Sequence, residues 1–192
     1  MRVTKDQKEE TRKKILAAAG KGFRAQGYGS LGVDGLAKDA GVTSGAFYSH
    51  FSGKNDAFLH AVKQCLQDGR LGGEALMQNE KDHWASLFLD HYLGEQHRAD
   101  LPNGCAIAGL SADVARAGTD VKEAYQQELL KVIDTFAAGL AVEKEPPSRD
   151  KAWRLMSLLV GSLLMARAVK DPKIAEEITS AVKPAAKELA NI

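Results

Sequence analysis

Apolar residues recur along this chain at the spacing of helices, and no segment keeps up the strict alternation of a half-buried strand. Thr4 and Gln7 form a T-x-x-Q capping box that opens a first helix, whose apolar face of Ile15, Ala19 and Phe23 repeats every four residues and stops at Gly27. A second, short helix is predicted over about Val33 to Ala40 and ends at Gly41. A third starts at Ser44 with Thr43 as its N-cap. Gly53 separates it from a longer helix starting near Lys54, with Ala57, Phe58, Ala61, Val62 and Leu66 as the buried stripe. Gly69, Gly72 and Gly73 are expected to weaken or kink that helix.

Further helices are predicted over about Asp82 to Leu93, Cys105 to Ala115, Thr119 to Leu140, Asp150 to Val169 and Lys173 to Leu189, the last with a kink at Pro184. RADLPNG interrupts the pattern before Cys105, and EKEPPSRD is a loop because two consecutive prolines do not fit inside a helix. The expected fold is therefore all-α, with about nine helices. Three small ones form an N-terminal module, and six surround a larger C-terminal core.

Composition adds little to this picture, at 44% hydrophobic and 27% charged residues, but it excludes some classes. The longest apolar run, Leu155 to Val169, is broken by Ser157, Gly161, Ser162 and Arg167, so no membrane span is expected. The start, MRVTKDQKEETRKK, is charged where a signal peptide is apolar, which predicts a cytoplasmic protein. Two cysteines, Cys65 and Cys105, make neither a disulfide framework nor a zinc site, and no metal or cofactor is expected. Charge is divided unevenly. Residues 1–60 carry 10 Lys/Arg against 6 Asp/Glu, and residues 61–192 carry 16 against 19. A basic head on a slightly acidic body suggests a polyanionic partner.

That suggestion sharpens at residues 41–54, GVTSGAFYSHFSGK. Two short helices joined at Gly41 fit a helix-turn-helix, with the glycine supplying a positive φ and Val42 filling the angle between the helices. Phe47 and Phe51 would anchor the third helix to a three-helix core, leaving Ser44, Gly45, Tyr48 and Ser49 facing outward. Lys54, at the head of the next helix, would hold a phosphate together with that helix's N-terminal amides. Tyr48 or His50 alone would read as an ordinary surface aromatic; the combined order is what points to DNA.

Residues 28–58, YGSLGVDGLAKDAGVTSGAFYSHFSGKNDAF, closely resemble the DNA-binding signature of the tetracycline-repressor (TetR) family, and the resemblance is strong over residues 10–62. It implies a DNA-binding domain over residues 1–53 and a ligand-binding and dimerisation domain over 54–192. Thr43, Ser44, Tyr48, His50 and Lys54 inherit contacts to phosphate or groove. The family pattern further implies a palindromic operator, a homodimer built by the last two long helices, and an effector cavity in the C-terminal bundle. Residues 90–118, with Gly104-Cys105 opening a helix, look like a segment of one subgroup. The sequence departs from the family at Leu31-Gly32, where a capping hydroxyl is usual, and at Asn55, where an acid is common. Ser44, Gly45 and Ser49 offer no bidentate pairing to a base, so readout is expected to lean on Tyr48, DNA shape and Arg2 or Lys5 in the minor groove.

For the effector site the candidates are Trp84, Phe88, His91 and Tyr92, with Cys105, Tyr125, Trp153 and Met156 farther along; aromatics at helical spacing also serve as plain core. Cys105 follows Asn103-Gly104 at a helix start, where amide dipoles stabilise a thiolate, so it reads either as an electrophile or oxidant sensor or as a small buried residue. Leu155, Leu158, Leu159, Ser162 and Met165 make a broad face on the 150–169 helix. With Gly161 beside it, that face would pack on a twin or inside its own bundle. An enzyme is disfavoured: Gly-x-Ser-x-Gly does not occur, and Gly20-Lys21-Gly22 lies within a helical pattern. The expectation is a ligand-responsive DNA-binding regulator, most often a repressor in this family, with a DNA-binding protein lacking an effector as the alternative.

Overall fold

The computed structural model describes residues 4–142 and 146–192, so Arg2 lies outside the described residues. Within them the chain forms ten α-helices and no strand. None of these helices is long and apolar enough to cross a membrane. Helix α1 (Lys5–Ser30) opens with the predicted reciprocal cap: the Gln7 amide donates to Thr4 Oγ1 at 3.2 Å and the Thr4 amide donates to Gln7 Oε1 at 2.9 Å. Its stripe Ile15, Ala19 and Phe23 is fully buried, and Gly27 interrupts it at φ 77°, ψ 164°.

Helices α2 (Val33–Asp39) and α3 (Ser44–Tyr48) are joined by a Schellman turn. Gly41 sits at φ 68° and donates to the Lys38 carbonyl at 3.0 Å, while the Val42 amide donates to the Ala37 carbonyl at 2.9 Å. Thr43 then caps α3, its Oγ1 accepting the Ala46 amide at 3.1 Å. Helix α4 (Lys54–Asn79) continues unbroken through Gly69, Gly72 and Gly73. Packing overrides propensity there, since Gly73 is buried with the Phe136 ring about where a Cβ would make ordinary contact, 3.7 Å away.

The remaining helices are α5 (Trp84–Leu93), α6 (Glu95–Ala99), α7 (Ala106–Arg116), α8 (Thr119–Gly139), α9 (Arg149–Ala168) and α10 (Pro172–Leu189). Helix α10 continues past Pro184. Two hydrophobic clusters organise them. The first gathers α1, α2, α3 and the front half of α4, together with Leu110 and Val114 of α7. The second gathers α5, α8, α9 and α10. Of the face predicted on the 150–169 helix, Leu155, Leu159 and Ser162 point into this second core, whereas Met165 is 55% exposed.

Helix α6 escaped the sequence reading because EQHRA has no apolar repeat. What holds it is one buried histidine. Nε2 of His97 accepts the Cys105 amide at 3.2 Å, so Nδ1 carries the proton and donates to the Tyr92 carbonyl at 2.8 Å. Arg167 clamps the same turn from α9, donating to the carbonyls of His97 (2.9 Å) and Arg98 (3.1 Å). Gly104 is obligatory here, because a Cβ would stand 2.5 Å from the Asp100 carbonyl oxygen.

Two outcomes are expected in denaturant titrations. Gly41→Ala lowers stability by about 1 kcal/mol, since its Cβ meets open space and only the left-handed backbone resists it, whereas Gly45→Ala in α3 causes no loss. Equal effects at the two sites would contradict this. The second concerns pH. Burial holds the His97 imidazole below its usual pKa, with Arg167 and His91 adding to the effect against the Tyr92 hydrogen bond. The folded state therefore takes up this proton later than the unfolded chain. The contribution is complete above the unfolded value of about 6.5 and is lost as pH falls through the depressed folded value. His97→Gln is expected to flatten the stability slope between about pH 7 and 5; an unchanged slope would remove His97 from this role.

Candidate nucleic-acid interface and the cavity behind it

Helix α3 is fastened from within and bare outside. Phe47 and Phe51 are buried with ring centroids 5.6 Å apart, and Tyr48 stands edge-on to Phe47 while remaining 58% exposed. Gly45 and Ser49 are exposed beside it. The hydroxyls are less free than the sequence suggested. Ser44 donates to Asp34 of α2 at 2.6 Å, and Ser49 donates to the Ala46 carbonyl at 2.7 Å. Asp34 was not singled out from sequence, and its only local signal is an acid in the first turn of α2.

Lys54 begins α4, and its ammonium lies 4.1 Å from the centroid of the Tyr28 ring. This cation–π contact limits where the charge can swing. His50 is half-buried on the flank, its carbonyl accepting from Arg12 Nη1 at 3.1 Å. Burial lowers the pKa of its imidazole, and Lys8 and Arg12 lower it further. Arg12 itself lies over the Phe51 ring at 4.4 Å. Lys5 lies in the first turn of α1, at the other end of that helix from Tyr28.

Tyr28 ties this surface to the body of the protein. Its ring packs on Phe58 (4.9 Å) and Phe23 (5.9 Å). Its amide, released from the helical ladder by the break at Gly27, donates to Asp113 Oδ2 of α7 at 2.7 Å. A second tie runs from Arg24, whose Nε donates to the Pro102 carbonyl at 2.7 Å. Neither Asp113 nor Arg24 carries any signal in sequence.

Behind this seam lies a cavity of about 690 Å³ between α1, α4, α5, α7 and α8. Five of the residues proposed from sequence line it: Phe88, His91, Tyr92, Cys105 and Met156. The other three are placed elsewhere. Trp84 is buried in the second core against Phe136, the Tyr125 hydroxyl is hydrogen-bonded with Ser111 at 2.7 Å, and Trp153 is 37% exposed on α9. Cys105 is the half-buried N-cap of α7. Cys65 also borders the cavity, but it is buried, and burial raises its thiol pKa.

Residues 15–61 match the profile of the family described as bacterial regulatory proteins, tetR family. Over 57 residues, 30% of this chain, the sequence is 47% identical to the HTH-type transcriptional regulator AcrR of Shigella flexneri. Over 61 residues, 32% of this chain, it is 49% identical to the HTH-type transcriptional regulator SrpR of Pseudomonas putida. The chain spans only 26% and 28% of the length of these two relatives. Similarity of fold reaches further. The reduced form of E. coli NemR superimposes with a TM-score of 0.77 at 20% identity, covering 94% of this chain and 97% of that one. A TetR-family transcriptional regulator from Agrobacterium tumefaciens gives a TM-score of 0.75 at 21% identity, covering 93% and 98%. Residues 15–61 thus carry the TetR-family helix-turn-helix, and the chain as a whole has the fold of TetR-family transcriptional regulators.

Proposed function

We propose that this chain acts as a homodimeric transcriptional repressor that binds a palindromic operator and is released by a small molecule in the cavity behind its DNA-binding domain. The observation that carries the reading is the bare outer face of α3, anchored by Phe47 and Phe51 and set at its angle by the Gly41 turn. In a dimer, two such helices meet major grooves one helical turn apart, about 34–36 Å. The DNA-binding domain is taken as residues 1–53 and the ligand-binding and dimerisation domain as 54–192. Thr43, Ser44, Gly45, Tyr48, Ser49 and His50 form the groove surface, and Lys54 holds a phosphate. With Ser44 engaged by Asp34, base readout through α3 is thin, and Tyr48 and the shape of the duplex carry more of the selectivity.

The pairing face is assigned to α9 and α10. Trp153, Leu164 and Met165 on α9 and Ile174 on α10 stay 37–55% exposed in the single chain. An apolar surface of this kind suits a twofold, self-complementary contact. A ligand that favours one placement of α7 shifts the equilibrium between DNA-competent and released forms. The shift passes through Asp113 and Tyr28, on whose ring Lys54 rests. A second reading is favoured by one observation. Cys105 is half-buried at the N-terminus of α7 and faces the cavity, so covalent change there would displace the same helix. That NemR was crystallised in a reduced form is in keeping with it.

Selection of duplexes from random DNA is expected to return a palindrome. On the selected site, Lys54→Ala should weaken binding uniformly across sequence variants and lower the log–log salt slope by about 1. Absence of any enriched site, or a Lys54→Ala slope equal to that of the parent, would count against the reading. For the second reading, iodoacetamide is expected to lower operator affinity in the parent and in Cys65→Ser but not in Cys105→Ser. An equal response in all three would exclude it.

A further inference from the structure

The cavity wall is chemically asymmetric. Leu16, Phe88, Ile107, Val132, Phe136 and Met156 supply apolar surface. The α1 and α4 side supplies Lys13, Lys21, Arg24 and Arg70, with Asp68 as the one carboxylate among the lining residues. Asp68 already accepts from the Gln64 side-chain amide at 2.8 Å. His97 contributes no charge, since its neutral ring is used on both nitrogens.

A second observation is independent of the charge count. Among the described residues, two buried side-chain polar atoms have no hydrogen-bond partner, Arg70 Nε and Tyr92 OH, and both residues line this cavity. Arg70 spends its Nη1 on Glu74, whose carboxylate also accepts from Thr135 Oγ1 at 3.0 Å, so the guanidinium is fixed while Nε–H stays unspent. Tyr92 is 4% exposed, and burial, reinforced by the Cys105 thiol, pushes its phenol well above the usual range. It stays protonated, with the Cys105 thiol as its polar neighbour. Unspent buried donors are costly in an apolar wall and are satisfied by an oxygen acceptor.

We infer that the cavity takes an apolar acid, a hydrocarbon or aromatic body with a carboxylate-type head, its oxygens accepting from Arg70 and Tyr92 under the field of the α1 and α4 cations. This rests on the effector reading above and narrows it to a ligand class. A volume of about 690 Å³ suits one small molecule of this kind. Neutral molecules of the same body offer an oxygen but no charge to meet the α1 and α4 cations, and cationic ones add repulsion from them.

The test is calorimetric titration of the full chain, without DNA, against matched sets: decanoate, decan-1-ol and decylamine, and 2-naphthylacetate with its alcohol and amine. In at least one set the acid is expected to bind about 10-fold or more tighter than its alcohol, with the amine weakest. Arg70→Gln should reduce acid binding about 10-fold and leave the alcohol nearly unchanged. Tyr92→Phe removes a buried hydroxyl with only the Cys105 thiol beside it, so it should fold like the parent while losing about 5-fold for the acid. Alcohol or amine binding as tightly as the acid in both sets would overturn the inference. So would a correctly folded Tyr92→Phe with unchanged acid affinity. Titration on the selected operator duplex separates the two claims. Acid that binds without releasing DNA upholds the ligand class and sinks the effector reading; release by a neutral compound in a protein that ignores the acids does the reverse.

Discussion

The hydrogen bond from the Tyr28 amide to Asp113 is the contact on which the working arrangement depends. The break at Gly27 strips that amide of its helical acceptor, and an unpaired amide in a half-buried seam costs about 1–3 kcal/mol. Asp113 satisfies it from α7, far along the chain. The same residue's ring then fills the space between Phe23 and Phe58 and carries Lys54 on its outer face. One residue therefore closes the helix, joins α1 to α7 and fixes the position of the Lys54 ammonium.

The cavity's position follows from the same seam. Its wall draws on α1 and α4, which also pack in the first core, and on α5, α8 and α9, which pack in the second. Whatever fills it touches both halves. Arg24 shows the intimacy of the arrangement, since it lines the cavity and also donates to the Pro102 carbonyl in the segment leading to Cys105.

How much of this was legible depends on the range of the interaction. The capping box at Thr4 and Gln7, the Gly41 turn, the Thr43 cap and the Phe47–Phe51 anchor are all local, and each was readable from residues within four or five positions. Helix α6 was missed because a buried histidine and an arginine 70 residues away hold it, and neither leaves a periodic trace. Ser44 appeared free because Asp34 reaches it across the turn. The glycines of α4 suggested a kink, yet tertiary packing outweighs about 1 kcal/mol of propensity per residue. Most candidate cavity residues were chosen as aromatics, with Cys105 and Met156 beside them, and both of these line the wall. That choice reached Phe88 and Tyr92, but it cannot separate a wall from a core, and Trp84 went to the core.

The continuity of α4 through its three glycines gives it the character of a lever. At 1.5 Å per residue its 26 residues span about 39 Å, from Lys54 on the Tyr28 ring to Asn79 beyond the cavity wall. A rigid rod of that length turned by about 3° about one end moves the other by about 2 Å, enough to break a hydrogen bond made at that end. A kinked helix would absorb such a turn at its bend. At Gly73 the backbone of α4 lies close against the Phe136 ring of α8.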